Sequence, residues 1–200
     1  MNRFEFFPLV SFLILIFMIS GRVFFLKRKG VKTSSARRKA VKTSILIYPV
    51  FLVIMFLWLW EISKPVFQIS FSVLPETITH LLFHSVLIQV AGVVIITMSL
   101  IIMFFTLIHF RNSLRFGLDE NNRGKLITRG VFAISRNPFF TSLLLWFLGI
   151  ALVFPSPFFI GFALFAAAGV HLFILKEEKF MRRVYGEEYF TYQRKVRRYF

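Results

Sequence analysis

Five long apolar runs, residues 8–26, 44–60, 81–110, 138–154 and 157–175, constrain this chain more than any other feature of it. A helix needs roughly 20 apolar residues to cross the hydrocarbon core of a bilayer, and each run approaches that length. The runs predict an all-α, polytopic membrane protein with about five transmembrane helices. A soluble fold is excluded, because 57% hydrophobic residues and a mean hydropathy of +0.72 leave more apolar surface than 200 residues can cover.

The charges fix an orientation. Between the first two runs lies KRKGVKTSSARRKAVK, with eight Lys or Arg and no acid. The next connection, 61–80, carries Lys64 alone among cations and contains Pro65 and Pro75. Residues 111–137 return six cations, Arg111, Arg115, Arg123, Lys125, Arg129 and Arg136, and the tail from Lys176 adds eight more. Basic loops stay on the cytoplasmic side, so the N-terminus is expected outside and the C-terminus inside, in a membrane of the bacterial inner-membrane type. The net charge of +16 then serves topology and anionic lipid headgroups on the cytoplasmic face, and no nucleic acid is expected as a partner. Residues 1–26 read as a retained membrane helix rather than a cleaved signal, because the run is long enough to span and no small-residue cleavage site precedes the basic cluster.

Within this frame, Trp58 and Trp60 are expected at the outer interface, where amphipathic rings are favoured. The third run exceeds one span and predicts a tilted or extended helix ending near Arg111. Its polar residues His84, Gln89, Thr97, Ser99 and Thr106 should face other helices. The Ala166–Gly169 stretch reads as a close helix-packing surface. The tail predicts a helix leaving the membrane, a break at Gly186 and a second, amphipathic helix on the surface. There is no cysteine, which removes disulfides, thiolate metal sites and cysteine nucleophiles. The four histidines, His80, His84, His109 and His171, lack metal-ligand spacing, so packing roles and no metal are expected.

The long polar junction holds LITRGVFAISRNPFF at 126–140, and its partner in the sequence is Glu177-Glu178. The Pro155-Ser156-Pro157 turn predicts a hairpin that returns the two glutamates to the level of Arg136-Asn137-Pro138. Plain structural roles exist for each piece. Asn137 can cap a helix that begins at Pro138, with Arg136 reaching lipid phosphate, and Glu178 can pair weakly with Arg182 one turn on. Adjacent carboxylates on a helix point about 100° apart, however, so one faces inward while the other stays wet. An inward carboxylate at this depth is expensive unless a cation or hydroxyls meet it. A cofactor with ribose hydroxyls and an amino group would supply both.

These residues resemble the isoprenylcysteine carboxyl methyltransferase and phospholipid N-methyltransferase group of integral membrane enzymes. The similarity lies in Leu126-Ile127-Thr128-Arg129-Gly130-Val131-Phe132, Ser135-Arg136-Asn137-Pro138-Phe139-Phe140, Glu177-Glu178 and Tyr185-Gly186-Glu187-Glu188-Tyr189 with Tyr192. Upstream, Ser113-Leu114-Arg115-Phe116-Gly117-Leu118-Asp119 is similar to what bacterial branches carry. The resemblance implies an S-adenosylmethionine-dependent methyltransferase with a cytoplasm-facing cofactor pocket, acting on a lipophilic acceptor that enters from the bilayer. Carried over by position, Leu126, Phe132, Asn137, Pro138 and Phe140 would line the cofactor, and Glu177 or Glu178 would hold its ribose or amino group. Residues 1–200 are then one membrane domain, with an N-terminal helical pair and outer loop at 1–80 and a catalytic core at 81–200. Phe132 and Phe140 stand where tyrosine is common, and Phe173 stands where the prenylcysteine enzymes carry arginine one turn before the acidic pair.

Methyl transfer from a sulfonium is an in-line displacement, so the protein chiefly aligns the reactants and excludes water. Aromatic faces attract the sulfonium, and Arg115 and Arg136 are the candidate catalytic residues for orienting an acidic acceptor by paired hydrogen bonds. An amine acceptor would instead require a base, which the sequence does not single out. Two other readings stand beside this one. The first is an NADPH-dependent membrane reductase of an isoprenoid or sterol-like lipid, and the second is a non-enzymatic membrane protein that binds anionic lipid.

Overall fold

The computed structural model describes residues 4–30, 41–110 and 126–200, with the side chains of 41–48 left aside. Arg115 and the 113–119 motif lie outside the described residues. Among the described residues seven α-helices occur in order: α1 Phe7–Arg28, α2 Val41–Phe67, α3 Glu76–Thr79, α4 Val86–His109, α5 Pro138–Val153, α6 Pro157–Tyr185 and α7 Glu187–Lys195. A short 3-10 turn, Gly130–Ala133, precedes α5. Helices α1, α4 and α6, together with Pro49–Phe67 of α2, are long and apolar enough to cross a membrane, and α5 is a shorter apolar helix. The protein is therefore an all-helical polytopic membrane protein.

The shortest of the membrane helices is the best covered. Helix α5 buries Thr141, Ser142, Trp146, Gly149, Ile150 and Val153, and it packs on both α4 and α6. Its approach to α4 is set by two glycines. A Cβ on Gly92 would lie 2.7 Å from the Gly149 carbonyl oxygen, and one on Gly149 would lie 2.6 Å from Ile96 Cγ1. Small residues allow backbones this close, and hydrogen bonds then join them. Ser99 Oγ donates to the Ser142 carbonyl at 2.7 Å. Trp146 Nε1 donates to Ser11 Oγ at 2.9 Å and ties α5 to α1.

Pro155-Ser156-Pro157 makes the expected hairpin. Ser156 Oγ accepts from the Phe159 amide at 3.3 Å, and Pro157 opens α6 with φ already suited to a helix. At this end of the bundle Trp58, Trp146, Phe147, Phe159 and Phe162 form one aromatic cluster, with the two tryptophan rings 5.2 Å apart. Trp58 is only 1% exposed, so its ring serves the core rather than the headgroup layer expected for it.

Three other expectations are corrected. The third apolar run does not form one over-long helix: α4 begins at Val86, behind an N-cap at Ser85, and residues 81–85 are irregular. Gln89, Ser99 and Thr106 are buried as expected, but Thr97 is exposed and returns its hydroxyl to the Val93 carbonyl, while His84 is exposed before the helix starts. The Ala166–Gly169 stretch packs only in part: Ala166 and Ala167 are half-buried, but Ala168 and Gly169 are exposed, and nothing among the described residues lies within 4 Å of where a Gly169 Cβ would stand.

Candidate functional site

The polar junction is assembled from three separated pieces of chain: the 126–140 stretch, the polar end of α6, and the C-terminal segment after α7. The path of α7 brings the third piece in. At Gly186 the backbone takes φ 52°, a conformation that glycine adopts without a Cβ penalty, and the chain turns back there. Tyr189 and Tyr192 lie one turn apart on α7 and are both buried. The Tyr192 hydroxyl donates to the Phe132 carbonyl at 2.6 Å. Burial raises both phenols, Tyr189 to about 12, with the negative charge of Glu178 adding to the effect. Both hydroxyls therefore stay protonated at neutral pH.

Beyond α7 the chain lies alongside Ser135-Arg136-Asn137 as a single parallel bridge between Ser135 and Arg197. The Arg136 amide donates to the Arg197 carbonyl at 2.9 Å. Ser135 Oγ at 3.3 Å and Asn137 Nδ2 at 3.2 Å both donate to the Arg198 carbonyl. About two turns before Glu178 on α6, the Tyr199 hydroxyl meets His171 Nδ1 at 2.7 Å. This closing segment is a strap, and its anchor is electrostatic.

Glu178 sits at the centre of that anchor with its side chain 3% exposed. Arg136 Nη2 donates to its Oε1 at 2.8 Å, and Arg198 donates to it side-on, Nε to Oε1 at 3.1 Å and Nη2 to Oε2 at 2.9 Å. Arg136 Nη1 meanwhile donates to the carbonyls of Gln193 at 3.0 Å and Val196 at 2.6 Å. A buried carboxylate is tolerated when cations and donors of this kind meet it. The same contact holds the Arg198 guanidinium even more firmly protonated than usual, through its hydrogen bond to Glu178.

Glu177, the neighbouring carboxylate, is arranged differently. Its Oε2 is buried and has no hydrogen-bond partner among the described residues. One turn before it, Phe173 packs on Phe140 with ring centroids 5.2 Å apart. Phe132 is buried against Phe110, 5.0 Å between centroids at a steep angle. Leu126 is half-buried at the edge of the described stretch.

The structure thus brings Phe132, Arg136, Asn137, Pro138, Phe140, Glu177 and Glu178 to one junction, and it assigns several of them different partners from the simple ones. Asn137 does not cap α5 with its side chain, which goes to Arg198; its carbonyl accepts from the Thr141 amide and hydroxyl, each at 2.9 Å. Arg136 points into the protein instead of toward lipid. Glu178 pairs with Arg136 and Arg198, while Arg182 donates to Gln193 Oε1 at 3.1 Å. The sequence reading missed Arg198, Gln193 and Tyr199, while α7 is the amphipathic surface helix expected, with Tyr189 and Tyr192 on its inward face. The available signal was the Tyr189 and Tyr192 pair, whose spacing puts two aromatic rings on one face of a helix only nine residues long.

By its fold the protein is of the class of all-helical polytopic membrane proteins, here with an Arg136-Glu178-Arg198 ion cluster at one polar junction. Within that class, the chain belongs to the phospholipid methyltransferase family, which matches residues 87–188, just over half of its length. The matched region runs from the start of α4 to the start of α7 and so takes in the 126–140 stretch and Glu177-Glu178, but neither the rest of α7 nor the strap. Membership implies methyltransferase activity in general. No curated protein matches the chain, and no solved structure does.

Proposed function

We propose that the protein is an S-adenosylmethionine-dependent methyltransferase of a membrane lipid, working at the cytoplasmic face. The observation that carries this reading is the buried, unpartnered Oε2 of Glu177. A carboxylate oxygen without a donor at this depth is costly, and a ribose hydroxyl or an amino group would relieve it. Glu177 would take that role, whereas Glu178 would hold the strap. Phe132 and Phe140 would offer aromatic faces to a sulfonium, with Leu126, Asn137 and Pro138 completing the surround. When bound, the cofactor would supply an activated methyl group. The chain's own task is then to orient the acceptor and keep water out.

The acceptor is better read as an amine than as a carboxylate. Recognition of a carboxylate calls for a free arginine fork, and Arg136, the candidate among the described residues, has both Nη groups taken by Glu178 and two backbone carbonyls, which leaves only its buried Nε without a partner among the described residues. Phe173 adds no cation at the position where prenylcysteine enzymes carry one. The cytoplasmic orientation rests on the Lys and Arg bias of the loops. Thermal unfolding of the detergent-solubilised protein with each cofactor tests the reading. Stabilisation by S-adenosylmethionine, with none by NADPH, is the expected result, because a ligand stabilises the state it binds. Stabilisation by NADPH alone would establish the reductase instead.

A further inference from the structure

On the α4 side, a titratable group outside the ion cluster borders the junction. His109 is the last residue of α4, next to Phe110, whose ring meets Phe132. Its Nδ1 lies 2.7 Å from the Phe105 carbonyl. A carbonyl only accepts, so Nδ1 carries the proton, and in the neutral ring Nε2 is left with its lone pair. No hydrogen-bond partner meets Nε2 among the described residues. The ring is half-buried and lies on Gly130, so closely that a Cβ there would fall onto Cδ2 and Nε2. Gly130 itself is exposed, which leaves this side of the junction open. Among the described residues, charged groups near the ring are few: α4 contains no Asp, Glu, Lys or Arg, and the residue beside Gly130 is the exposed Arg129.

We infer that His109 is the general base that makes an amine acceptor nucleophilic. The inference rests on the methyltransferase reading above. An amine headgroup is an ammonium at neutral pH and has no lone pair to offer. Transfer of one ammonium proton to Nε2 gives a neutral amine and an imidazolium. The amine lone pair then forms the C–N bond as the C–S bond of the sulfonium donor breaks, and the C–S pair leaves with the thioether sulfur. The imidazolium returns its proton to water on the open side. The Phe105 carbonyl fixes the tautomer throughout, and the absence of a side chain at Gly130 makes room for the ring.

The test uses the full-length protein in vesicles containing phosphatidylethanolamine, with methyl-labelled S-adenosylmethionine, and compares the wild type with His109→Asn. The asparagine amide can still donate to the Phe105 carbonyl but offers no base. The expected result is a loss of about 100-fold or more in turnover at neutral pH. That deficit should shrink as pH rises toward the range in which the amine loses its proton unaided, while cofactor affinity stays unchanged. Nitrogen NMR of labelled histidine, assigned with the variant, should find Nε2 of His109 unprotonated in the neutral ring. A deficit that does not vary with pH, near-normal turnover, loss of cofactor binding, or the opposite tautomer would each overturn the inference. Failure of the wild type to bind S-adenosylmethionine at all would overturn the underlying reading, and this inference with it.

Discussion

Arg198 holds the Glu178 carboxylate side-on, with Nη2 2.9 Å from Oε2, across a sequence separation that nothing in the motif announces. Arg136 shares Oε1 of the same carboxylate. One buried acid therefore gathers the turn before α5 and the end of the chain. Glu178→Gln should destabilise the protein by about 3–5 kcal/mol, because it leaves the buried Arg136 without its counter-charge. Arg198 is 32% exposed, so Arg198→Ala should cost less, about 1 kcal/mol after solvent screening. Denaturation of both single variants and the double variant would measure the coupling. Independent, additive effects would contradict the ion cluster.

Gly130 is constrained twice. Its φ is +66°, where an L side chain is strained, and the His109 ring fills the space a Cβ would need. Gly130→Ala should lower thermal stability by more than the about 1 kcal/mol usual for a glycine at positive φ. Removing the ring as well, in Gly130→Ala with His109→Ala, should recover part of that loss. The two melting temperatures decide it, and equal losses in the single and double variants would show that the ring contact carries no weight.

A pH dependence follows from α7. The Tyr189 phenol is raised from 10.0 to about 12 by burial first and Glu178 second, so the fold favours its neutral form. Its contribution to stability is fully present below about pH 10 and is lost as pH rises through about 12. Melting temperatures followed from pH 9 upward, roughly the start of that window, should fall less steeply in Tyr189→Phe than in the wild type. Parallel curves would mean that Tyr189 does not report the docking of α7.

Much of the bundle was legible in the sequence because it depends on local chemistry. Apolar length placed α1, α2, α5 and α6, and proline with serine placed the hairpin between α5 and α6. Gly186 marked the end of α6. The start of α4 was misjudged because apolar residues 81–83 continue the hydrophobic run without continuing the helix. Trp58 was misplaced because an indole near a span end suits either a headgroup layer or an aromatic core, and only the arrival of Trp146 and Phe162 decides between them. The strap was illegible for a different reason. Its hydrogen bonds are long-range and largely to backbone, and a carbonyl such as that of Arg198 carries no sequence signature. The motif residues themselves were legible as a group, but their partners were not, since Arg136 and Asn137 turn toward the C-terminal segment.

Calorimetric titration of S-adenosylmethionine into the detergent-solubilised wild type and into Glu177→Gln tests the central claim most directly. Binding to the wild type is predicted, weakened about tenfold or more in the variant, since a hydrogen bond to a charged group is worth about 1.5–3 kcal/mol. The variant's melting temperature without ligand should not fall, because Glu177 Oε2 holds no partner among the described residues. No binding by the wild type, or equal binding by both proteins, would contradict the account.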